Sequence, residues 1–479
     1  MQKTIILFKQ DLRLADNPAL YHGVKDGAII PVYILDEINL TKMGGASKWW
    51  LYHSLLSLKK SLQKEDADII LAKGDTIKEL EVIIKNSGAN AIYFNNLYDP
   101  KSVLLETKIA EYFTKKKILV KSFNGNLLFD PRKIRNKQGG YFKVFTPFWK
   151  SLSIKLDDIE VLPNPDFKNK TLKNIANLSL DIKKLELLPK DYNWADKLNQ
   201  YWQVGEEAAF AKLIYFLENI ICFYKNGRDI PAKAATSSLS PYLHFGEISV
   251  RHIVSLTKMK MEIGDLAKGA SINDIERFFS ELGWREFSNH LLYHFPKLIS
   301  EPFNPRFSKF TWEDNKKLLK KWQLGKTGYP IVDAGMRELW ETGYMHNRVR
   351  MVVASFLTKH LLINWQYGAE WFFDTLVDAD IPNNISSWQW VAGSGADAAP
   401  YFRIFNPILQ GERFDPHGEY IKKWLPVLKD LPTKFIHAPW TAGDIELKMA
   451  NITLGKNYPK PLVEHSEARD KAMALYKKL

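Results

Sequence analysis

At 479 residues the chain is longer than one ordinary core organises, so two or three domains are expected. A 46% hydrophobic and 25% charged content is globular, no run of 18 apolar residues offers a membrane span, and one cysteine, Cys222, excludes intrachain disulfides and cysteine-based metal clusters. The net charge of +13, from 67 Lys and Arg against 54 Asp and Glu, fits either a solvated basic surface or a polyanion partner.

Met1 leads straight into the strand-like TIILF, with no signal-peptide pattern, so a reducing cytoplasm is the expected compartment. Residues 1–130 alternate short β-branched runs, at Thr4, Ala28, Asp68, Ala91 and Ile118, with helical patterns that are clearest at Ser47–Leu62 and Thr76–Lys85. That alternation predicts an α/β domain with a parallel, Rossmann-like sheet covered on both faces, whose ligands sit at the carboxyl ends of the strands. The first strand–helix turn reads KQDLRLADNPAL and lacks the glycine fingerprint of dinucleotide binding. Residues 131–193 are expected to be an inter-domain linker, most irregular from about Lys150 to Asn193. Residues 194–479 read as a larger all-α domain, with helical spacing at Glu206–Tyr224, Ile275–His294, Asp314–Leu324, Ile331–Trp340 and Met345–Leu362.

Several motifs in that second half carry buried-type polar groups, each of which needs a partner. Thr236, Ser237, Ser238, Leu239 and Ser240 place four hydroxyls before a helix start, suited to phosphate oxygens or to an ordinary cap. Glu281 and Trp284 share a helix face, able to hold a flat hydrogen-bonding ligand or to lie half-buried against an arginine. Asn347 and Met351 also share a face, with Arg348 and Arg350 turned elsewhere. Asp378 and Asp380 sit in a loop-like DAD, where they suit ribityl or ribose hydroxyls or Arg350; no histidine is near, and a metal is not expected. Trp388 and Trp390 flank Gln389 and face different compartments, roughly 200° apart on a helix. Fifteen tryptophans and 13% aromatics offer stacking faces worth roughly 1–3 kcal/mol per base, although most such rings belong to cores.

Two matches are set aside. Gly393-Ser394-Gly395-Ala396-Asp397-Ala398 follows no predicted strand and runs into Pro400, and Gly325-Lys326-Thr327 has Lys320 where a P-loop needs glycine.

Taken together, FKQDLRLADNPAL, KVFTPF, TSSLSPYLHFG, SELGWREF, GKTGYPIVDAGMREL, MHNRVRM and WQWVAGSGADAAPYFRIFNP resemble the photolyase–cryptochrome family, and within it the cyclobutane pyrimidine dimer photolyases, over essentially the whole chain. The resemblance implies an antenna domain, a linker and a helical domain holding FAD. It implies that reduced FAD absorbs blue light and passes an electron to a cyclobutane dimer, which splits and returns the electron. On this reading Tyr224 and Thr236 to Ser240 contact FAD phosphates and ribityl, Arg350, Asp378 and Asp380 pair near the flavin, and Asn384 faces flavin N5. Glu281 hydrogen-bonds the dimer, Trp284 and Trp390 wall its pocket, Met351 lies against it and Asn347 bridges flavin and dimer. Arg348 and Arg403 hold flanking phosphates, and Trp388, Trp365 and Trp312 form the electron-transfer triad that photoreduces FAD.

The implied partner is UV-damaged DNA containing cyclobutane pyrimidine dimers, bound by a monomer that is nucleoid-associated through DNA, with no membrane partner. The alternative is a cryptochrome photoreceptor with the same flavin site but little repair. Asn347 and Met351 stand where (6-4) photolyases carry a histidine pair, and the chain ends soon after a lysine-rich helix, where cryptochromes extend a tail; both features favour repair. For the antenna, Tyr98-Asp99-Pro100-Lys101-Ser102 lacks the Asn-Glu pair of enterobacterial folate sites, whereas GGASKWW and YDP resemble class III photolyases. Methenyltetrahydrofolate is therefore expected, with Trp49 and Trp50 either stacking on it or simply in the core, and a deazaflavin, a second flavin or no chromophore as alternatives.

Overall fold

The computed structural model describes residues 2–172, 176–189, 194–398 and 402–479. The chain divides into two compact units: Met1–Cys222 with Ser237–Pro296 and Val377–Pro382, and Phe223–Thr236 with Lys297–Leu376 and Asn383–Leu479.

All five expected strands form in the first unit: β1 (Gln2–Phe8), β2 (Gly27–Leu35), β3 (Ile70–Lys73), β4 (Ala91–Asn95) and β5 (Leu119–Phe123). They pair in parallel in the order β3-β2-β1-β4-β5. β1, β2 and β4 are almost wholly apolar because helices cover both faces, and Ile5, Leu7, Ile30, Val32, Ile92 and Phe94 pack against Leu80, Ile83, Leu105, Ile109 and Phe113 from those helices. The strand order reverses between β1 and β4, which opens a crevice at their carboxyl ends. Two helices that periodicity had not revealed, Pro18–Asp26 and Pro100–Lys115, each start with proline behind an acceptor cap, Asn17 or Asp99.

Part of the linker runs beside the sheet. Ile29 N–H donates to Lys170 O and Leu180 N–H to Leu71 O, both at 2.8 Å, which partners backbone groups that β2 and β3 would otherwise leave open. The expected linker end at Asn193 lies outside the described residues.

The KQDLRLADNPAL turn is a buried polar lock. The Arg13 guanidinium donates to the carbonyls of Ala15, Asp16, Gly125 and Gly246 at 2.6–3.0 Å. Glu206, at the start of the helix Glu206–Tyr215, accepts the N–H groups of Leu14 and Ala15 at 2.8 Å. Asp16 accepts from Arg251 and from the Ser249 hydroxyl, and Asn95 donates to Asp11 and Asn17. Gly246 has φ +66°, and a Cβ there would lie 2.0 Å from Gln10 O, so only glycine lets the two loops meet.

Two expected helices end differently from their apolar periodicity. Glu206–Tyr224 stops at Tyr215 and continues as a π turn, Phe216–Ile220, and a 3₁₀ turn, Ile221–Phe223, before Tyr224–Gly227. Met345–Leu362 begins at Asn347, because His346 Nδ1 accepts Arg348 N–H as its cap, and passes after Ser355 into a π turn, Phe356–His360. The side chains discussed below in the second unit are framed by the helices Lys316–Gln323, Pro330–Thr342, Asn347–Ser355, Trp365–Thr375, Pro407–Phe414 and His465–Lys477, together with Ile381–Ala392, most of which belongs to it.

Glu247 is fully buried, accepts Trp50 Nε1–H at 3.0 Å, and is pushed by burial up to about 8. A carboxyl raised above its unfolded value of about 4.3 contributes stability that is complete below that value and lost as pH rises through about 8. The parent melting temperature is therefore expected to fall between about pH 5 and about pH 8, and Glu247→Gln to flatten that profile and melt higher at pH 8. Thermal melts of both proteins across this range check it.

Candidate functional site

In the first unit, the hydroxyl cluster and the acidic loop meet. Ser240 opens the short helix Ser240–Phe245 and donates to Asp378 Oδ2 at 2.6 Å. Asp380 Oδ2 lies 3.9 Å from His244 Nδ1, and Asp380 N–H donates to Asp378 O at 2.7 Å, which folds the DAD loop tightly. Ser238 adopts φ +52°, and Ser237 Oγ accepts Leu239 N–H at 3.4 Å, so this run is a turn rather than a helix interior. Asp380 also lines the crevice at the ends of β1 and β4, with Gln10, Tyr98, Asn126, His244 and Arg285. Both ends of the buried Asn126 amide lack a hydrogen-bond partner among the described residues.

Glu281 and Trp284 lie on the long helix Ile272–His294, one turn apart as the spacing required. Glu281 Oε1 is 3.3 Å from Arg277, and Trp284 stacks on Phe145 at 3.7 Å and 8°. Phe145 belongs to the KVFTPF motif and is a stacking partner that periodicity alone did not single out.

The second unit holds the remaining candidates. Asn347 is the first residue of its helix and exposed, with Met351 half-buried one turn on. Arg350 Nε donates to Met345 O at 2.7 Å and its guanidinium lies 5.0 Å from the Tyr344 ring, so the residue is turned away from the Asn347 face. Tyr224 is buried under Arg228, 5.5 Å from its ring, and Thr236 is half-buried. Asn384 donates to Ala369 O at 2.9 Å, which orients its amide within the helix Ile381–Ala392.

That helix also carries both tryptophans, so they diverge as expected. Trp388 is 2% exposed, edge-on to Trp322 and Phe372, and a Cβ on Gly368 would fall 2.1 Å from it. Its Nε1–H has no hydrogen-bond partner among the described residues. Trp390 is half-buried and donates to Asp397 O at 3.1 Å. Trp365 is 4% exposed and Trp312, against Phe310, is half-buried, so burial of the three relay candidates decreases from Trp388 to Trp312.

Arg348 and Arg403 converge in a cavity of about 440 Å³, with Arg413, Asp229, Phe405, Gln410 and Phe414. Arg348 pairs with Asp229 at 2.9 Å and lies over the Phe414 ring, while Arg413 lies over the same ring from its own helix. Three guanidinium groups against one carboxylate make this an anion-attracting cradle. Sequence reasoning missed Asp229, Gln410, Arg413 and Phe414; the basic-aromatic ERF run that follows the FNP turn was the signal for the last two.

Other expectations resolve into structure. Trp49 and Trp50 are both buried; Trp50 is enclosed by Trp202, Tyr242 and Phe245, and Trp49 packs on His53, which is the core placement. Asp99 caps the helix Pro100–Lys115. The GKT run is held by the fully buried Asp333, which accepts Thr327 N–H and Oγ1–H, Gly328 N–H and Tyr458 O–H at 2.6–3.2 Å. Of the G-x-G-x-x-A match, Gly393 to Ala398 follow a helix rather than a strand, and Pro400 lies outside the described residues. No group of three or more metal-ligating side chains occurs among the described residues.

Residues 4–166 match the family described as DNA photolyase, and residues 278–478 match the FAD binding domain of DNA photolyase, so the α/β and helical regions together have the photolyase architecture. The chain belongs to the photolyase–cryptochrome family. It is 46% identical to a deoxyribodipyrimidine photo-lyase of Agrobacterium fabrum, covering 98% of this chain and 97% of that one. It is 38% identical to cryptochrome-2 of Arabidopsis thaliana, covering 98% of this chain and 78% of that one. Among solved structures, a class III photolyase from Agrobacterium tumefaciens superposes with a TM-score of 0.95 at 44% identity, covering 100% of this chain and 98% of that one.

The Asp333 lock gives a stability prediction. Asp333→Ala leaves two N–H groups and two hydroxyls in the interior without their acceptor. Urea unfolding is expected to show a loss of about 3–5 kcal/mol, the scale for breaking a buried charged network.

Proposed function

We propose that the protein is a deoxyribodipyrimidine photo-lyase of class III type, repairing cyclobutane pyrimidine dimers in DNA under blue light. The observation that carries this reading is the end-to-end agreement in fold and sequence with a class III photolyase. The protein's functional regions are an antenna region at 1–130, a linker at 131–193 and a region for FAD and the lesion at 194–479.

The residues present fit an FAD. Hydroxyls at 236–240, with Ser240 already paired to Asp378, suit ribityl and phosphate oxygens, and the half-buried Arg350 offers a cation. A buried indole with an unpartnered N–H, Trp388, sits four residues from Asn384 on one helix. When bound and reduced, FAD supplies the excited-state electron donor, and the chain positions it and excludes competing paths.

The protein groups do the rest. Tyr224, Thr236 to Ser240, Asp378 and Asp380 would hold the cofactor, and Asn384 would offer it a neutral amide. Trp284, stiffened by Phe145, and Trp390, tethered through Asp397, would each offer an indole to the lesion, and Met351 a thioether. Glu281 would accept a hydrogen bond from the dimer, and Asn347 would contact both dimer and cofactor. Arg348 and Arg403 hold the phosphates that flank the lesion, whose weakened stacking lowers the cost of flipping it out. Trp312, Trp365 and Trp388 would serve as the relay through which an oxidised cofactor is photoreduced.

Methenyltetrahydrofolate is the proposed antenna, held elsewhere than on the faces of Trp49 and Trp50, which are covered by core rings. A monomer in the cytoplasm is proposed; no described helix is long and apolar enough to cross a membrane. The photoreceptor alternative draws on the similarity to a plant cryptochrome.

A thymine-dimer oligonucleotide illuminated with blue light and flavin-reduced protein is expected to lose its dimer, with no loss in the dark. Absent repair by protein holding reduced flavin would move the chain to the photoreceptor reading, and repair in the dark would contradict a light-driven reaction. Glu281→Ala is expected to weaken dimer binding about 10- to 100-fold, the value of a hydrogen bond to a charged group. Trp388→Phe is expected to suppress photoreduction of oxidised flavin at least about tenfold while chemically reduced protein still repairs. Flavin absorbance during illumination checks the first effect, and chromatography of the oligonucleotide the second.

A further inference from the structure

The cradle is built on a segment, 402–406, that is pinned from one helical face. Ser355 Oγ accepts Phe405 N–H at 3.3 Å. Four residues on, in the π turn, Lys359 Nζ donates to the Arg403 carbonyl and lies 4.4 Å from the centre of the Phe402 ring. Phe402 is stacked on Tyr476 at 4.7 Å and packs with Phe307 and Phe310. At the far end Asn406 caps the helix Pro407–Phe414, accepting from Ile408 N–H at 2.9 Å. Arg403 and Phe405, which both line the cradle, are therefore carried on backbone that Lys359 and Ser355 hold.

Lys359 is an unusual choice for that task. It is 3% exposed and has no carboxylate partner among the described residues. A buried ammonium without a counter-ion is costly, and burial beside Arg403 pushes it down to about 7. A methionine of similar length would fill the space more cheaply. What it would not supply is a donor to the Arg403 carbonyl. The π turn that carries Lys359 is itself a distortion of the kind found at functional sites.

We propose that Lys359 is a positioning residue for DNA binding: it holds the Arg403 carbonyl so that the Arg403 guanidinium stays in the cradle with Arg348 and Arg413, where together they receive a backbone phosphate beside the lesion. The proposal rests on the repair reading above and adds a residue that touches neither DNA nor flavin.

The test is a double-mutant cycle on flavin-loaded, reduced protein. Affinity for a dimer-bearing oligonucleotide is measured across a salt series for the parent, Lys359→Met, Arg403→Ala and the double variant. Lys359→Met is expected to weaken binding about tenfold and to lower the slope of log affinity against log salt by about one, as when one phosphate contact is lost. Repair per light dose at saturating DNA should stay at the parent level. Adding Lys359→Met to Arg403→Ala should change binding by less than about twofold, because both remove the same contact. Unchanged affinity and slope for Lys359→Met, or losses that add in full, would overturn the proposal. Should Lys359→Met not yield flavin-loaded protein, Lys359→Gln enters the same cycle with the same two criteria. A parent that does not bind dimer-bearing DNA at all would overturn both the repair reading and this inference, whereas a binding parent with indifferent variants overturns this inference alone.

Discussion

A guanidinium 1% exposed, Arg13, is the interaction that the first unit depends on. It reaches four carbonyl oxygens belonging to its own turn, to the segment after β5, and to the loop that follows the helix Ser240–Phe245. Removing it would take this donor from the buried Gly125 and Gly246 carbonyls, at about 1–3 kcal/mol each, whereas Asp16 O keeps Arg251 at 3.3 Å. The sheet and the following helices are thereby held as one body, and the Ser240 to Asp380 polar cluster inherits that rigidity. Glu206 and Asp16 tighten the same turn from the side of the helices. A motif with no catalytic group in it is thus explained by what it keeps still.

The second unit separates two electrostatic tasks. Around Trp388 the surroundings are apolar and tightly packed: Phe372, Trp322 and a glycine whose place no other residue could take without collision. A low-dielectric setting with little room to reorganise suits electron transfer. Around Arg348, Arg403 and Arg413 the charge is concentrated and open, with Phe414 as the platform for two of the guanidinium groups. Such a surface suits an anionic polymer whose affinity is salt-dependent. The net charge of +13 has a local expression here that composition alone could not assign.

How much of this was legible in the sequence depends on the range of the physics involved. Strand–helix alternation is local, and all five strands stand where β-branched runs placed them. Helix faces are also local, so the pairings Glu281 with Trp284 and Asn347 with Met351 follow from spacing. The divergence of Trp388 and Trp390 follows once their helix is known. Helix ends were less legible, because the His346 cap and the two π turns depend on single hydrogen bonds that apolar periodicity ignores. Asp229 was invisible, since it meets Arg348 from more than 100 residues away. Trp49 and Trp50 read equally well as stacking faces or core, and only their distant neighbours Trp202, Tyr242 and Phe245 show the packing. The GKT run is a comparable case: its polar groups serve Asp333 six residues on, not a phosphate.

On the proposed function, light drives an electron out to the dimer and back with no net change in the flavin. Counting turnovers against flavin oxidation state tests it most directly. Anaerobic, fully reduced protein is illuminated with a large excess of dimer-bearing oligonucleotide and no added reductant, and flavin absorbance is followed alongside dimer loss. The account predicts many dimers split per flavin while the reduced spectrum is unchanged. Splitting that stops at one dimer per flavin, with the flavin oxidised in step, would contradict it.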